Sequence, residues 1–402
     1  MRSGWRLRSR GLYSNQSCVG FLLDCLTLTH ADHEAFVANE SALDFAAIAR
    51  MADCHGVEPL VARRLNRMSE EARGQPGARR VLLNASAHAL RNQYLTQQLI
   101  EVLEEFDRAG IEALVIKGPV LAELAYGDIA LRPFGDLDIL VRPSDVPRAA
   151  QVLVQAGFDA GLYDDEAFQS NFFHAVSANF QRRDERLNID LHWELSPPSL
   201  PFGPAGDGVW QRAITIQLDR ATVRTLSHED HLVFLAVHHA RHGWESLSQL
   251  CDIAFFVNRR AIDWDALIAC AAETRSKRML AVALLMAHDQ LNAIIPHTIL
   301  ASLRCGARAG AIAAVLGAEI AHDPPSRSGA RRLIRILNLI ERPIDSLRYL
   351  IVSGFAPTLM DRRYMRIRRG LYPAYFLLRP MRIGAAALRT FGRSIGTPQD
   401  CR

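Results

Sequence analysis

The stretch Arg132-Pro133-Phe134-Gly135-Asp136-Leu137-Asp138-Ile139-Leu140-Val141 decides how this chain is read. Its apolar end has the composition of a buried strand, and side chains two apart on a strand share a face. Asp136 and Asp138 therefore project together, while Leu137 and Ile139 turn to the core. Adjacent carboxylates raise each other's pKa unless a cation lies between them. Hard oxygen donors of this kind suit a divalent ion, Mg²⁺ or Mn²⁺. A second stretch, Asn188-Ile189-Asp190-Leu191-His192-Trp193-Glu194-Leu195, alternates strictly. It puts Asn188, Asp190, His192 and Glu194 on one face of a strand and the apolar residues on the other. By itself this is a solvated edge strand. Laid beside the first strand, it brings Asp190 to the same metal site as a third carboxylate.

The segments around these two have recognisable periods. Ala113-Leu114-Val115-Ile116 is a short apolar run ending in Lys117-Gly118-Pro119, which predicts a strand and then a helix through Tyr126. Ser144 is the expected N-cap of a helix reaching about Ala156. Strands are expected over 173–182 and 186–195, a Pro/Gly-rich loop from Pro197 to Gly208, and a last strand pair at Ile214–Leu218 and Thr222–Leu226. Residues 17–107 repeat apolar positions at helical spacing, as in Tyr94-Leu95-Leu99-Val102-Leu103-Phe106, with a loop expected at Gly74-Gln75-Pro76-Gly77. From Ser227 onward the period is helical again. The fold class is α+β. A basic leader over 1–16, expected to be disordered, precedes a helical region over 17–107. A small α/β core over 108–227 carries a mixed sheet of four to six strands. A helical domain over 228–325 and an Arg-rich helical tail over 326–402 complete the chain.

Composition limits the function classes. The 402 residues are 49% hydrophobic and 22% charged, which excludes wholesale disorder, a collagen-like repeat and a polytopic membrane protein. The 47 basic residues include only two lysines, Lys117 and Lys277. The net charge of +4 hides a split: residues 326–402 hold 16 Arg against 4 acids, leaving 31 basic and 39 acidic residues elsewhere. Such a tail suits nucleic acid or an anionic membrane surface, and equally an Arg-rich helical surface with no partner. The apolar run Val19–Leu28 is interrupted by Asp24 and lacks a small-residue cleavage site, so no signal peptide is expected. Seven cysteines with no CxxC pair fit a reducing cytoplasm rather than a disulfide framework.

Three segments together, Leu114-Val115-Ile116-Lys117-Gly118, Arg132 through Asp136-Leu137-Asp138-Ile139-Leu140-Val141, and Ile189-Asp190-Leu191-His192-Trp193, resemble the uncharacterised bacterial nucleotidyltransferase family of the DNA polymerase β superfamily. His238-His239-Ala240-Arg241-His242-Gly243-Trp244, Leu250-Cys251-Asp252-Ile253 and Asp263-Trp264 resemble its helical C-terminal half. The resemblance spans roughly 20–300. It implies a polymerase β-like core and transfer of a nucleoside monophosphate from an NTP, ATP included, to an acceptor, with release of pyrophosphate. Asp136 and Asp138 would then hold two metal ions, and Asp190 would complete the one that activates the acceptor. The acceptor is left open among a small molecule, a protein and an RNA. The chain departs from the superfamily in one place: Gly118 is followed by Pro119 where Gly-Ser or Gly-Gly is usual, and Asp136 lies 18 positions on. Lys117 and Arg132 would supply the missing phosphate contacts, beside the turn at Gly118.

His238 and His242 stand one helical turn apart, with Arg241 between them. They fit a nucleotide- or acceptor-facing position, a packed helix interface or, without the Glu of an HExxH motif, a weak zinc pair. Two other function classes compete. One is a sugar-nucleotide glycosyltransferase, which also uses a DxD. The other is a catalytically degenerate nucleotide-binding or regulatory protein that uses the tail as its contact.

Overall fold

The computed structural model describes residues 16–27, 40, 42–161, 163, 175–182, 187–200, 206–322 and 329–394. The leader over 1–15 and the first residues of the strand expected at 173–182 lie outside these.

Helices α1 (Gln16–Leu26), α2 (Phe45–His55), α3 (Glu58–Leu65), α4 (Glu70–Gly74) and α5 (Pro76–Arg108) form the first layer. The loop expected at Gly74–Gly77 narrows to one residue. Gln75 is extended, and Pro76 starts α5, where its missing N–H costs no helical hydrogen bond. Helix α5 buries Leu95, Leu99, Val102 and Phe106, a stripe at spacings of four and three. It also carries the buried Asn92, whose amide donates to the Ile129 and Arg132 carbonyls at 2.6 and 2.9 Å. One side chain thus pins the loop that leads into the Asp136/Asp138 strand.

The sheet has four strands: β1 (Ala113–Val115), β2 (Leu137–Val141), β3 (Ser177–Arg182) and β4 (Leu187–His192), ordered β1-β2-β4-β3. β2 runs antiparallel to β1 and parallel to β4, and β3 closes the far edge antiparallel to β4. Between β1 and β2 the chain forms α6 (Gly118–Leu121), a π turn over Ala122–Tyr126 and a 3₁₀ turn over Ile129–Leu131. Between β2 and β3 lies α7 (Val146–Gln155), capped by Asp145 and not by Ser144. Pro143–Asp145 is a 3₁₀ turn of its own, and Pro147 in the first turn of α7 fixes the later start.

After α8 (Asp207–Arg212), β5 (Ile214–Leu218) and β6 (Ala221–Thr225) pair only with each other. The mixed sheet therefore has four strands, at the low end of expectation, and the last pair is a separate hairpin. Thr225 donates its hydroxyl to the Val115 carbonyl at 2.6 Å, tying the hairpin to the edge of β1.

Helices α9 (His228–Arg241), α10 (Leu247–Arg259), α11 (Trp264–Glu273), α12 (Lys277–Leu291), α13 (His297–Cys305) and α14 (Ala307–His322) pack on one another, and α10 packs on the turn over Ala122–Tyr126. The described part of the Arg-rich segment, 329–394, carries helices α15 (Gly329–Leu339), α16 (Pro343–Phe355), α17 (Leu359–Tyr364) and α18 (Tyr375–Ser394). One apolar core runs from α1 to α15, and a small second one holds Tyr372 and Tyr375. No single helix among the described residues is long and apolar enough to cross a membrane. Among the described residues Cys18, Cys25, Cys54, Cys251 and Cys270 form no disulfide.

Candidate metal centre

The pairing register assembles the site. In the parallel β2/β4 ladder Asp138 stands opposite Asp190, and Leu140 opposite His192. The face that the alternation assigned to Asp190 and His192 is therefore the face that carries Asp138. Ligand atoms of Asp138, Asp190 and His192 all lie within 4.8 Å of one another. On the other side of β4, Asn179 of β3 donates to Asp190 Oδ1 at 2.7 Å and fixes that carboxylate. The expected neighbour relation between the two acidic strands holds. The sequence reading left His192 without a metal role, although its parity with Asp190 already placed it there.

Asp138 is 2% exposed. Burial alone would push its carboxyl up. The Lys117 ammonium beside it and the His192 hydrogen bond hold it well below the usual carboxylate range instead. Lys117 Nζ lies 2.8 Å from Asp138 Oδ1, and His192 Nε2 lies 3.1 Å from the same oxygen. Lys117 reaches there because the β1/β2 ladder continues one step past β1, through Ile116 N–H to the Asp138 carbonyl at 3.1 Å. Asp136 sits at the mouth of β2, half-buried, outside the converging trio. Its carboxyl is raised by burial and then by the charges of Asp138 and Asp190, against the pull of Lys117. Gly118 takes a left-handed φ of +58° where the chain turns from β1 into α6, against the Asp136 carbonyl.

Helix α9 presents a basic edge to these carboxylates. Its N-cap Ser227 accepts from the Asp230 N–H, and its last turn carries His238, His239 and Arg241. The His238 and His242 rings lie with centroids 4.8 Å apart, tilted 49° to one another. Arg241 is within electrostatic reach of Asp138 and Asp190, and burial lowers its own pKa. Burial, then Lys117 and the neighbouring cationic groups, push the His238 imidazole well below its ordinary value. Burial and Arg241 bring His242 down to about 3. Both imidazoles are thus held neutral, within electrostatic reach of Lys117 and Arg241.

Arg132 stands elsewhere. Its Nε and Nη2 donate to the two oxygens of the buried Asp252 of α10, at 2.7 and 3.0 Å. Tyr126 Oη donates to the same carboxylate at 2.9 Å, and His239 Nε2 lies 3.4 Å from it. The charge of Arg132 holds the Asp252 carboxyl far below its ordinary value despite burial. This cluster locks the helical half to the loop entering β2, so Arg132 braces the site from behind. Tyr126 stacks on Phe255 at 4.8 Å, and Phe134 is buried, so both serve the core. His239 is buried against Trp244, a packed helix position.

No curated protein and no solved structure matches the chain. A family model described as an uncharacterised nucleotidyltransferase matches residues 41–292, which take in the sheet, both acidic strands and helices α9 to α12. That match covers more than half of the chain, and the protein belongs to this family of uncharacterised nucleotidyltransferases.

Proposed function

We propose that the protein is a divalent-metal-dependent nucleotidyltransferase that moves a nucleoside monophosphate from an NTP to an acceptor hydroxyl and releases pyrophosphate. The observation that carries this reading is the in-register placement of Asp138 and Asp190 across β2 and β4, with His192 on the same face. The residues fit a metal. Asp138 Oδ2 is buried with no hydrogen-bond partner among the described residues, and a second carboxylate and an imidazole converge beside it. Asp138, Asp190 and His192 would hold the ion, with Asp136 at the open end of the strand. The two carboxylates suit Mg²⁺ or Mn²⁺, and the imidazole favours the softer Mn²⁺ of the two. Such an ion, when bound, lowers the pKa of an attacking hydroxyl and neutralises triphosphate charge. In this reading Lys117 and Arg241 attract the polyphosphate, and the neutral His238 and His242 offer hydrogen bonds without adding charge. Arg132 acts only through Asp252, as a positioning residue.

One observation favours a second reading. The Lys117 ammonium already neutralises Asp138, as a retained nucleotide-binding fold without turnover would require. The sugar-nucleotide alternative is disfavoured, because among the described strands only β2 and β4 run parallel. Incubation with α-labelled NTPs and Mn²⁺ or Mg²⁺, alongside calorimetric NTP titration, separates the readings. The enzyme binds NTP and transfers label, and Asp138→Asn and Asp190→Asn abolish transfer. Binding without transfer supports the second reading, and absence of both refutes the two together.

A further inference from the structure

The tail beyond the family match is built inside out. Among the described residues, 21 large apolar side chains are exposed, and 15 of them fall between Leu333 and Ile383. On α16, Ile344, Leu347, Ile351 and Phe355 recur at spacings of three and four, so one helix face is apolar and open. Met360, Tyr364, Met365, Leu371, Leu377 and Met381 continue the exposed apolar surface over α17 and α18.

Both acidic side chains of these helices point inward, and some of the arginines turn in to meet them. Arg379 and Arg382 of α18 meet Asp361 at 2.9 and 2.6 Å, and Arg379 also donates to the Ser353 carbonyl at 2.8 Å. Asp361 and Asp345 are buried, the latter paired with Arg275 at 3.2 Å. From Arg342 to Ala385 no acidic side chain is exposed, whereas Arg342, Arg348, Arg363, Arg366, Arg368 and Arg369 are.

We propose that α16 to α18 form a docking face for an anionic phospholipid bilayer. Interleaved apolar and Arg side chains match both halves of a membrane interface: apolar groups enter the acyl boundary and guanidinium groups meet lipid phosphate. A nucleic acid would satisfy the arginines and strand the apolar side chains at a polar surface. A second copy of the face would set arginine against arginine with no exposed acid to answer it.

The test is sedimentation of the full chain with phosphatidylcholine vesicles, with and without about one third phosphatidylglycerol. The readout does not depend on any activity. The protein pellets with the anionic vesicles, and added salt weakens binding. Arg363→Gln and Arg366→Gln each lower the affinity about fivefold. Leu347→Gln and Ile351→Gln each lower it about tenfold. All four side chains are exposed, so the variants keep the parent circular-dichroism melt. No association with anionic vesicles overturns the proposal. So does equal association with uncharged ones. Self-association or duplex-RNA binding without lipid, lost in the same variants, assigns the face to those partners instead.

Discussion

Replacing Lys117 with Met would test whether the carboxylate cluster is a cation site. The ammonium is 14% exposed and sits 2.8 Å from an oxygen of the almost fully buried Asp138. Removing one partner of a buried ion pair costs about 3–5 kcal/mol. His192 Nε2 at 3.1 Å remains as a partner, and the half-buried Asp190 and Asp136 keep some access to water, so the lower end, about 3 kcal/mol, is expected. A divalent ion at a hundred times its dissociation constant returns about 2.7 kcal/mol. Urea unfolding with and without MgCl₂ or MnCl₂, at pH about 8 where an ordinary imidazole is neutral, reads both effects. Metal should restore most of the lost stability in Lys117→Met and add less to the parent, where the ion must displace the ammonium. A loss below about 1 kcal/mol, or equal metal stabilisation of both proteins, would refute the reasoning.

Three further outcomes follow from the same geometry. Asp252→Leu and Arg132→Met each leave a buried charge unanswered and cost about 3–5 kcal/mol, whereas the double variant costs much less than their sum. A chemical-denaturation cycle measures this, and simple additivity would count against the bracing role. Burial holds His55 down to about 4 and His231 and His242 down to about 3. The folded state keeps them neutral while the unfolded chain protonates near pH 6.5, so the unfolded state binds more protons as pH falls. Stability is therefore full above pH 6.5 and is lost toward pH 3. His231→Leu should flatten that slope by about 1 kcal/mol per pH unit between roughly pH 6 and 5, and an unchanged slope would show that His231 does not contribute. Gly118→Ala forces a side chain to φ +58° and should cost about 1 kcal/mol, read as a lower urea midpoint.

The local half of the site was legible in the sequence. Strand parity depends on alternation alone, so Asp190 and His192 could be assigned to a shared face before any pairing was known, whereas Asp136 lies before the first residue of β2. The apolar runs 113–116 and 137–141 and the glycine turn at 118 were equally local, although β1 stops one residue earlier, at Val115. The helix start after Pro143 was misplaced by one residue, because Ser144 is a good cap by residue type while Pro147 sets where the turn begins.

The tertiary structure decided what those faces meet. Parallel pairing in the register Asp138 to Asp190 joins strands about fifty residues apart, and no local period encodes that choice. Lys117 and Arg132 looked alike in the sequence, as cations beside the acidic strand. The fold sends one to Asp138 and the other to Asp252, 120 positions away, because a buried carboxylate takes whichever cation the packing brings within reach. The tail's charge was countable from composition. That Asp345 and Asp361 turn inward, with Arg379 and Arg382 reaching Asp361, while many apolar side chains face out depends on which helix faces pack, and only the assembled chain fixes that.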